Sequence, residues 1–432
     1  MKSIFIYNPS WHTYGGGEKY LCTLAEVLST VDTYEVTLLI DKPSITKETL
    51  SRYFNLALER VTVQSVTTQQ IQEIFSKADI GVIVSNFRSF GNRARKNVYV
   101  LQIPYPEISP SRVVGKLVKG GIKEAGKDLY RRSLLTDARN ADLALVYSTF
   151  VKDVLQHHQK IHAQVLYPPI DDFEGQATKE NIILSVGRIF RGLYNDKRYD
   201  ILIDAFKKLR ELLPHTSWTY HLVGSCGSDV ESRRYMEELR ASATGHPIYF
   251  HVNSSYDELR QFYNQAEIFW HAAGYGVDEE RYPERTEHFG MSTVEAMSAG
   301  CVPVVVNRGG QKEIVSHGKS GYLWNTLDEF LEYTAALVNH PELRRSVRQH
   351  ARERFLDFGR RHFSRNFSST SPILWATSSE RFISNWSVYR EVLEGYYGSS
   401  LWNLPGQSTK PMQTIHYTPH GDKGRLDKLL EG

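Results

Sequence analysis

Short apolar runs alternate with stretches of helical period along most of this chain. Ile4-Phe5-Ile6-Tyr7-Asn8 is the first such run, and further strands are expected at 35–40, 61–66, 80–84, 98–103 and 143–147. Between most of them apolar residues recur at three- and four-residue steps, as at Leu21, Leu24, Ala25 and Leu28. Runs that are apolar throughout suit strands covered on both faces, and strand–helix alternation predicts an open α/β domain. Ser148-Thr149 predicts the start of a helix running through Val154 and Leu155. Tyr167-Pro168-Pro169 then reads as a hinge, because proline stops both helix and ladder.

The pattern restarts beyond the hinge. Strands are expected at 181–186, 220–224, 248–252, 268–271 and 302–306, with a strongly periodic helix at Ile201-Leu-Ile-Asp-Ala-Phe206. Residues 328–355 read as helical, 358–378 as irregular and 382–393 as a last helix. From Gly398 onward the chain is polar and rich in Pro and Gly, which predicts a mobile tail. The expected division is 1–168 and 174–350 for two α/β domains, 351–397 for a helical segment returning to the first, and 398–432 for the tail.

Composition narrows the function. The 432 residues carry a net charge of +3, too little to imply a nucleic-acid partner. No apolar stretch approaches the roughly 18 residues needed to span a membrane, and no signal-peptide pattern precedes the first strand. Cys22, Cys226 and Cys301 lie far apart without metal-ligand spacing, as expected for reduced thiols in a cytoplasmic protein. One segment stands apart: residues 111–140 hold eight basic and three acidic residues among Val113, Val114, Leu117, Val118, Ile122 and Leu129. It reads either as a solvated helix or as a basic amphipathic surface in peripheral contact with the inner membrane face. Gly115, Gly120, Gly121 and Gly126 weaken any long helix there.

The chemistry concentrates in Glu287-His-Phe-Gly-Met-Ser-Thr-Val-Glu295, a small-residue helix, and Gly309-Gly310. Gly290 lets a ligand approach the backbone, and free N–H groups at Met291, Ser292 and Thr293 favour an anion. Ser292 and Glu295 also have capping-box spacing, whereas Glu287 has no structural partner in the pattern. Gly15-Gly16-Gly17-Glu18 after the first strand suits either a phosphate cradle or a tight turn. Arg188 ends a strand and Lys197 precedes a helix, so the two could converge on one anion. Asp278-Glu279-Glu280 is read as a solvated loop rather than a metal site.

Taken together, Glu287 to Glu295, Gly309-Gly310 and Ser185-Val-Gly187-Arg188…Lys197…Leu202-Ile-Asp-Ala-Phe206 closely resemble glycosyltransferase family 4. That resemblance implies a GT-B fold: two Rossmann-like α/β domains facing across a cleft, with a C-terminal helix returning to the first. It implies retaining transfer of a hexose from a nucleotide-diphosphate sugar, GDP- or UDP-linked, to a saccharide or lipid-linked saccharide, with no metal. By the same resemblance Glu287 meets sugar hydroxyls and Glu295 the ribose. Arg188 and Lys197 grip the diphosphate, the backbone of His288, Phe289, Gly290, Met291, Ser292 and Thr293 lines the donor, and Gly15 and Gly16 face its phosphates. Glu-His-Phe-Gly with Gly309-Gly-Gln311 looks most like members using GDP-mannose. Many members carry a first-domain histidine where this chain reads Gln102-Ile103-Pro104-Tyr105-Pro106; His12 lies near the glycine loop. A nucleotide-sugar epimerase or a non-catalytic sugar-nucleotide sensor are the alternatives.

Overall fold

The first sheet holds seven parallel strands: β1 (Lys2–Tyr7), β2 (Tyr34–Ile40), β3 (Val61–Ser65), β4 (Ile80–Val84), β5 (Lys96–Leu101), β6 (Leu143–Val146) and β7 (Ala163–Val165). Their spatial order is β3-β2-β1-β4-β5-β6-β7, so the order reverses between β1 and β4. The second sheet has six parallel strands: β8 (Glu180–Val186), β9 (Thr219–Gly224), β10 (Ile248–Val252), β11 (Ala266–His271), β12 (Val302–Val306) and β13 (Tyr322–Trp324). Their order is β10-β9-β8-β11-β12-β13, reversing between β8 and β11. This computed structural model describes residues 1–369 except 10, 12–14, 43, 85–90, 120 and 193–195. His12, the helix expected at 382–393 and the tail from 398 lie outside the described residues.

Three interior strands are buried along their whole length, as unbroken apolar runs predict: β4, β11 and β12 have no exposed residue. In the second sheet Trp270 packs its ring 4.6 Å from Phe330 and 5.2 Å from Tyr220, with helices on both faces excluding water. The short edge strands β7 and β13, three residues each, gave too few positions to show a period.

Three local expectations need correction. Residues 111–140 do form helices, Pro110–Val118 and Ile122–Arg139, divided near Gly121; Gly115 and Gly126 sit inside them on open sides, where a side chain would meet nothing. The stretch read as helical from 328 to 355 is two helices, Leu327–Asn339 and Pro341–Phe355, because Pro341 starts a new one. The chain beyond Phe358 is not irregular at first: Arg360–Ser369 is a helix, with Phe363 and Phe367 buried.

Outward and returning chain cross side by side. Ile170 N–H donates to Phe358 O at 3.4 Å, and Arg360 N–H donates back to Ile170 O at 3.0 Å. The Phe363 ring then meets Tyr20 of the first domain at 5.4 Å, edge to face. Asp171 ties the crossing together through Lys19 Nζ at 2.5 Å, Arg360 Nη2 at 2.7 Å and Tyr256 OH at 3.2 Å. Burial would push this carboxyl up, but the Lys19 and Arg360 charges hold it below its ordinary range.

Candidate active site

Reversal of strand order opens a crevice at the carboxyl ends of β8 and β11, where ligands of open α/β sheets bind. Gly187 and Arg188 follow β8 directly, and His271 ends β11. The loop after β11 returns at Thr286-Glu287, whose side chain points under these strand ends. Glu287 is 7% exposed, and its Oε2 accepts from Lys197 Nζ and from His271 Nε2, the latter at 3.0 Å. Lys197 Nζ also lies 3.5 Å from His271 Nε2. Glu287 therefore does have structural partners, contrary to the sequence expectation, and they are charged and buried.

The electrostatics follow. Burial alone would raise the Glu287 carboxyl, but the Lys197 ammonium and the His271 hydrogen bond hold it well below the usual carboxylate range. Burial pushes the His271 imidazole down, with the Glu287 hydrogen bond opposing it. With Nε2–H given to Glu287, His271 Nδ1 is buried without a partner among the described residues. Both partners meet Oε2, so Oε1 has no partner among the described residues.

Arg188 behaves differently from Lys197. It is exposed, its guanidinium lies 5.4 Å from the Phe190 ring centre, and among the described residues no carboxylate neutralises it. The two cations expected to grip one anion are thus divided: Lys197 is committed to Glu287, and Arg188 is open.

Gly290 starts the helix Met291–Ser298 with φ +119°, a conformation costly for any side chain, and a Cβ there would press on Gln311 at 2.9 Å. Thr293 and Val294 N–H groups bond Gly290 O at 3.0 and 3.2 Å. The N–H groups of Met291 and Ser292 meet no acceptor among the described residues. Thr293 Oγ1 is buried and meets no partner among the described residues, nor does either amide atom of Gln311 behind the turn. The capping box does not form. Glu295 instead accepts from Tyr263 OH at 2.8 Å, which leaves the amides ahead of it unclaimed, and burial raises its carboxyl.

The His288 and Phe289 side chains are held by protein partners. His288 Nε2 bonds Glu284 O at 3.0 Å, and burial lowers its pKa. The Phe289 ring packs 5.6 Å from Tyr167 and 5.7 Å from Phe358, between outgoing and returning chain. Their backbone is packed as well: His288 O accepts from Ser148 Oγ at 2.6 Å, and a Cβ at Gly310 would lie 2.5 Å from Phe289 Cα. Gly309 has φ +56°, and a Cβ there would lie 2.1 Å from Glu287 O; only glycine allows this loop to close on the motif. Glu279 of the acidic triplet fixes the same loop, accepting from Gly309 N–H and Lys312 Nζ, so it is an anchor rather than a solvated charge.

The first domain reaches the site through its glycine loop. Gly16 begins the helix Gly16–Ser29 with a Cβ position only 2.3 Å from Met291 Sδ. Gly15 N–H is taken by Glu18 Oε2 at 2.6 Å. Gln102, standing where histidine was expected, bonds Tyr147 OH at 2.5 Å and lies against Gly17. Sequence reasoning missed His271 and Tyr263. A histidine at the last position of a strand beside the switch point is a readable signal for the first; nothing local marks the second.

Comparison with known proteins agrees with this geometry. Residues 168–354 match the family model described as glycosyl transferases group 1. A Xenopus laevis GDP-Man:Man(3)GlcNAc(2)-PP-Dol alpha-1,2-mannosyltransferase is 29% identical over 232 residues, covering 49% of this chain and 44% of that protein. The Dictyostelium discoideum alpha-1,3/1,6-mannosyltransferase ALG2 is 24% identical over 256 residues, covering 53% and 60% respectively. The chain thus spans about half the length of the curated relatives it matches. Among solved structures, Anabaena HepE with UDP and glucose superposes with TM-score 0.63 at 16% identity, over 86% of this chain and 99% of that one. Sucrose-phosphate synthase from Thermosynechococcus elongatus gives 0.59 at 15%, over 91% and 100%. Residues 168–354 thus match the glycosyl transferases group 1 family model, within a chain that has the two-sheet GT-B fold of solved glycosyltransferases.

Proposed function

We propose that this protein is a retaining hexosyltransferase that moves a sugar from a nucleotide diphosphate to a saccharide or lipid-linked saccharide. One observation carries the reading: a buried carboxylate held through one oxygen, three residues before a helix start, with its second oxygen, two helix N–H groups and the arginine after β8 all without a protein partner for their charge among the described residues. Glu287 Oε1 accepts from donor-sugar hydroxyls. As the C1–O bond to phosphate breaks, charge grows on the diphosphate, where Arg188 and the Met291 and Ser292 amides stabilise it without a metal ion. The acceptor hydroxyl attacks C1 from the face the diphosphate leaves, and its proton passes to a diphosphate oxygen. Lys197 and His271 fix the Glu287 carboxylate before substrate arrives.

The activities of the relatives make GDP-mannose the first donor to test, and HepE's UDP the second nucleotide. GDP, UDP, ADP and dTDP should be compared by thermal shift, since a ligand at 100 times its Kd stabilises by about 2.7 kcal/mol. We expect GDP to give the largest shift, and GDP-mannose to release GDP only when an acceptor pool is present. Binding without turnover would favour a sensor, and no shift with any nucleotide would end the donor reading.

We also propose peripheral contact with an anionic membrane. No helix among the described residues is long and apolar enough to cross one. Of thirteen large hydrophobic side chains exposed among the described residues, six lie between 114 and 130: Val114, Leu117, Val118, Ile122, Leu129 and Tyr130. Val118 is 82% exposed and Ile122 72%, at the turn joining the two helices. The basic residues divide in two groups. Arg112, Lys116 and Arg131 converge on Asp128, which is 0% exposed; its carboxyl, raised by burial, is held low by Lys116 and Arg112. Lys119 and Lys123 are exposed beside the apolar crest and pair with no carboxylate among the described residues. A lysine near an anionic surface is worth about 1 kcal/mol, so changing Lys119 and Lys123 to Gln should weaken binding to phosphatidylserine vesicles roughly 30-fold. Sedimentation checks this. Equal binding to neutral and anionic vesicles would remove the proposal.

A further inference from the structure

We propose that Glu313 is a positioning residue for sugar transfer, a trans-domain cap that sets the first domain against the Glu287 site. The inference rests on the donor reading above, in that transfer requires both domains in register.

The helix Thr149–Gln159 starts at the carboxyl end of β6, on the edge of the first sheet that faces the second domain. A helix start carries unpaired N–H groups that attract a carboxylate. Here the carboxylate comes from the other domain. Glu313 Oε2 accepts from Thr149 N–H at 2.9 Å, and its Oε1 from Phe150 N–H at 3.3 Å. Ser148 Oγ, the helix's own cap, takes the third amide, Val151, at 3.1 Å. The same hydroxyl donates to His288 O at 2.6 Å, inside the donor motif. Tyr167 OH, in the linker between the domains, donates to Glu313 Oε2 at 3.0 Å.

On its own side Glu313 is held rigidly. Its N–H bonds Gly310 O at 3.2 Å, and Arg354 binds the carbonyls of Glu313 and Ile314 at 2.5 and 3.1 Å. Gly310 N–H in turn bonds Glu287 O at 2.8 Å. Only packed backbone therefore separates the Glu313 carboxylate from the residue proposed to hold the sugar. Because Tyr167 belongs to the linker, this contact sits at the pivot, where small angular changes become larger displacements at the far side of the crevice. A misplacement of about 1 Å between reacting groups can cost 10²-fold in rate.

The test uses three variants of the full chain. Glu313→Ala removes both bonds, Glu313→Gln keeps one acceptor, and Thr149→Pro deletes one donor at the helix position that best tolerates proline. We expect kcat to fall roughly 10- to 100-fold for Glu313→Ala and less for the other two. GDP affinity should stay within about threefold, because Arg188 and the amides at 291 and 292 belong to the second domain alone. Amide exchange at Thr149 and Phe150 should speed up about tenfold in Glu313→Ala while Val151 keeps its protection. Unchanged kcat, or kcat and GDP affinity falling together, overturns the proposal, since the residue would then be idle or a prop of the donor site. If the wild-type protein transfers no sugar, that failure belongs to the donor reading. The cap is then decided by exchange alone: faster exchange at 149 and 150 supports it, and unchanged exchange overturns it.

Discussion

Lys197→Met will destabilise the protein by about 3–5 kcal/mol and slow sugar transfer by roughly 10²- to 10³-fold. The stability loss follows from what is left behind. Glu287 is 7% exposed and would lose the ammonium that offsets its burial, leaving His271, itself pushed toward neutrality, as sole partner. Removing one partner of a buried ion pair costs more than the pair contributes, because the survivor remains desolvated. Glu287→Gln combined with Lys197→Met should therefore recover part of the loss, which a double-mutant cycle in urea at pH 7 would show. The pH dependence has a fixed sign. A carboxyl held low in the folded state contributes its full stability above its unfolded pKa, about 4.3. That contribution fades as pH falls from there through the lowered folded value. Lys197→Met should flatten this acid limb. A variant as stable as wild type at pH 7, with the same acid limb, would show that the buried pair matters little.

What the sequence made legible was periodic or local. Strands such as Val302–Val306 announce themselves because burial on both faces demands an unbroken apolar run. The stretch from Glu287 to Glu295 was readable because its turn, helix-start amides and carboxylates fall within nine consecutive positions. Pairings across the fold were not. Ser292 and Glu295 have capping-box spacing, but Tyr263, 32 residues away, takes the carboxylate, and no local pattern encodes that choice. Lys197 and Arg188 look alike in sequence because each stands at the end of an element. Their fates differ only because Glu287 folds under β8 and β11 and reaches one of them. The basic segment likewise hid Asp128, whose burial converts three of its cations from surface charge into internal ties. Glycine counts misled at 115 and 126, since a glycine facing open space weakens a helix less than tertiary packing of its other face supports it.

Arg188→Ala should separate chemistry from stability in the opposite way to Lys197→Met. The side chain is exposed, its guanidinium lies 5.4 Å from the Phe190 ring centre, and no described carboxylate depends on it. Its removal should change unfolding free energy by less than about 0.5 kcal/mol, the ordinary range for a surface substitution. Transfer should nonetheless slow by roughly 10²- to 10³-fold, equivalent to about 2.7–4 kcal/mol of lost leaving-group stabilisation. The amides of Met291 and Ser292 cannot replace it, because a helix start offers partial charge where the arginine offers a whole one. Lysine at this position should restore only part of the rate, since an ammonium is a point charge without the guanidinium's two-pronged fit to phosphate. Free nucleotide should also bind more weakly, because the diphosphate already carries negative charge in the ground state. The loss in kcat should exceed the loss in affinity, as charge continues to build while the C1–O bond breaks. Steady-state kinetics beside calorimetry with the free nucleotide measures both. If Arg188→Ala weakens binding and leaves kcat unchanged, the arginine only captures the donor, and the charge that develops on the diphosphate is met by the helix amides alone.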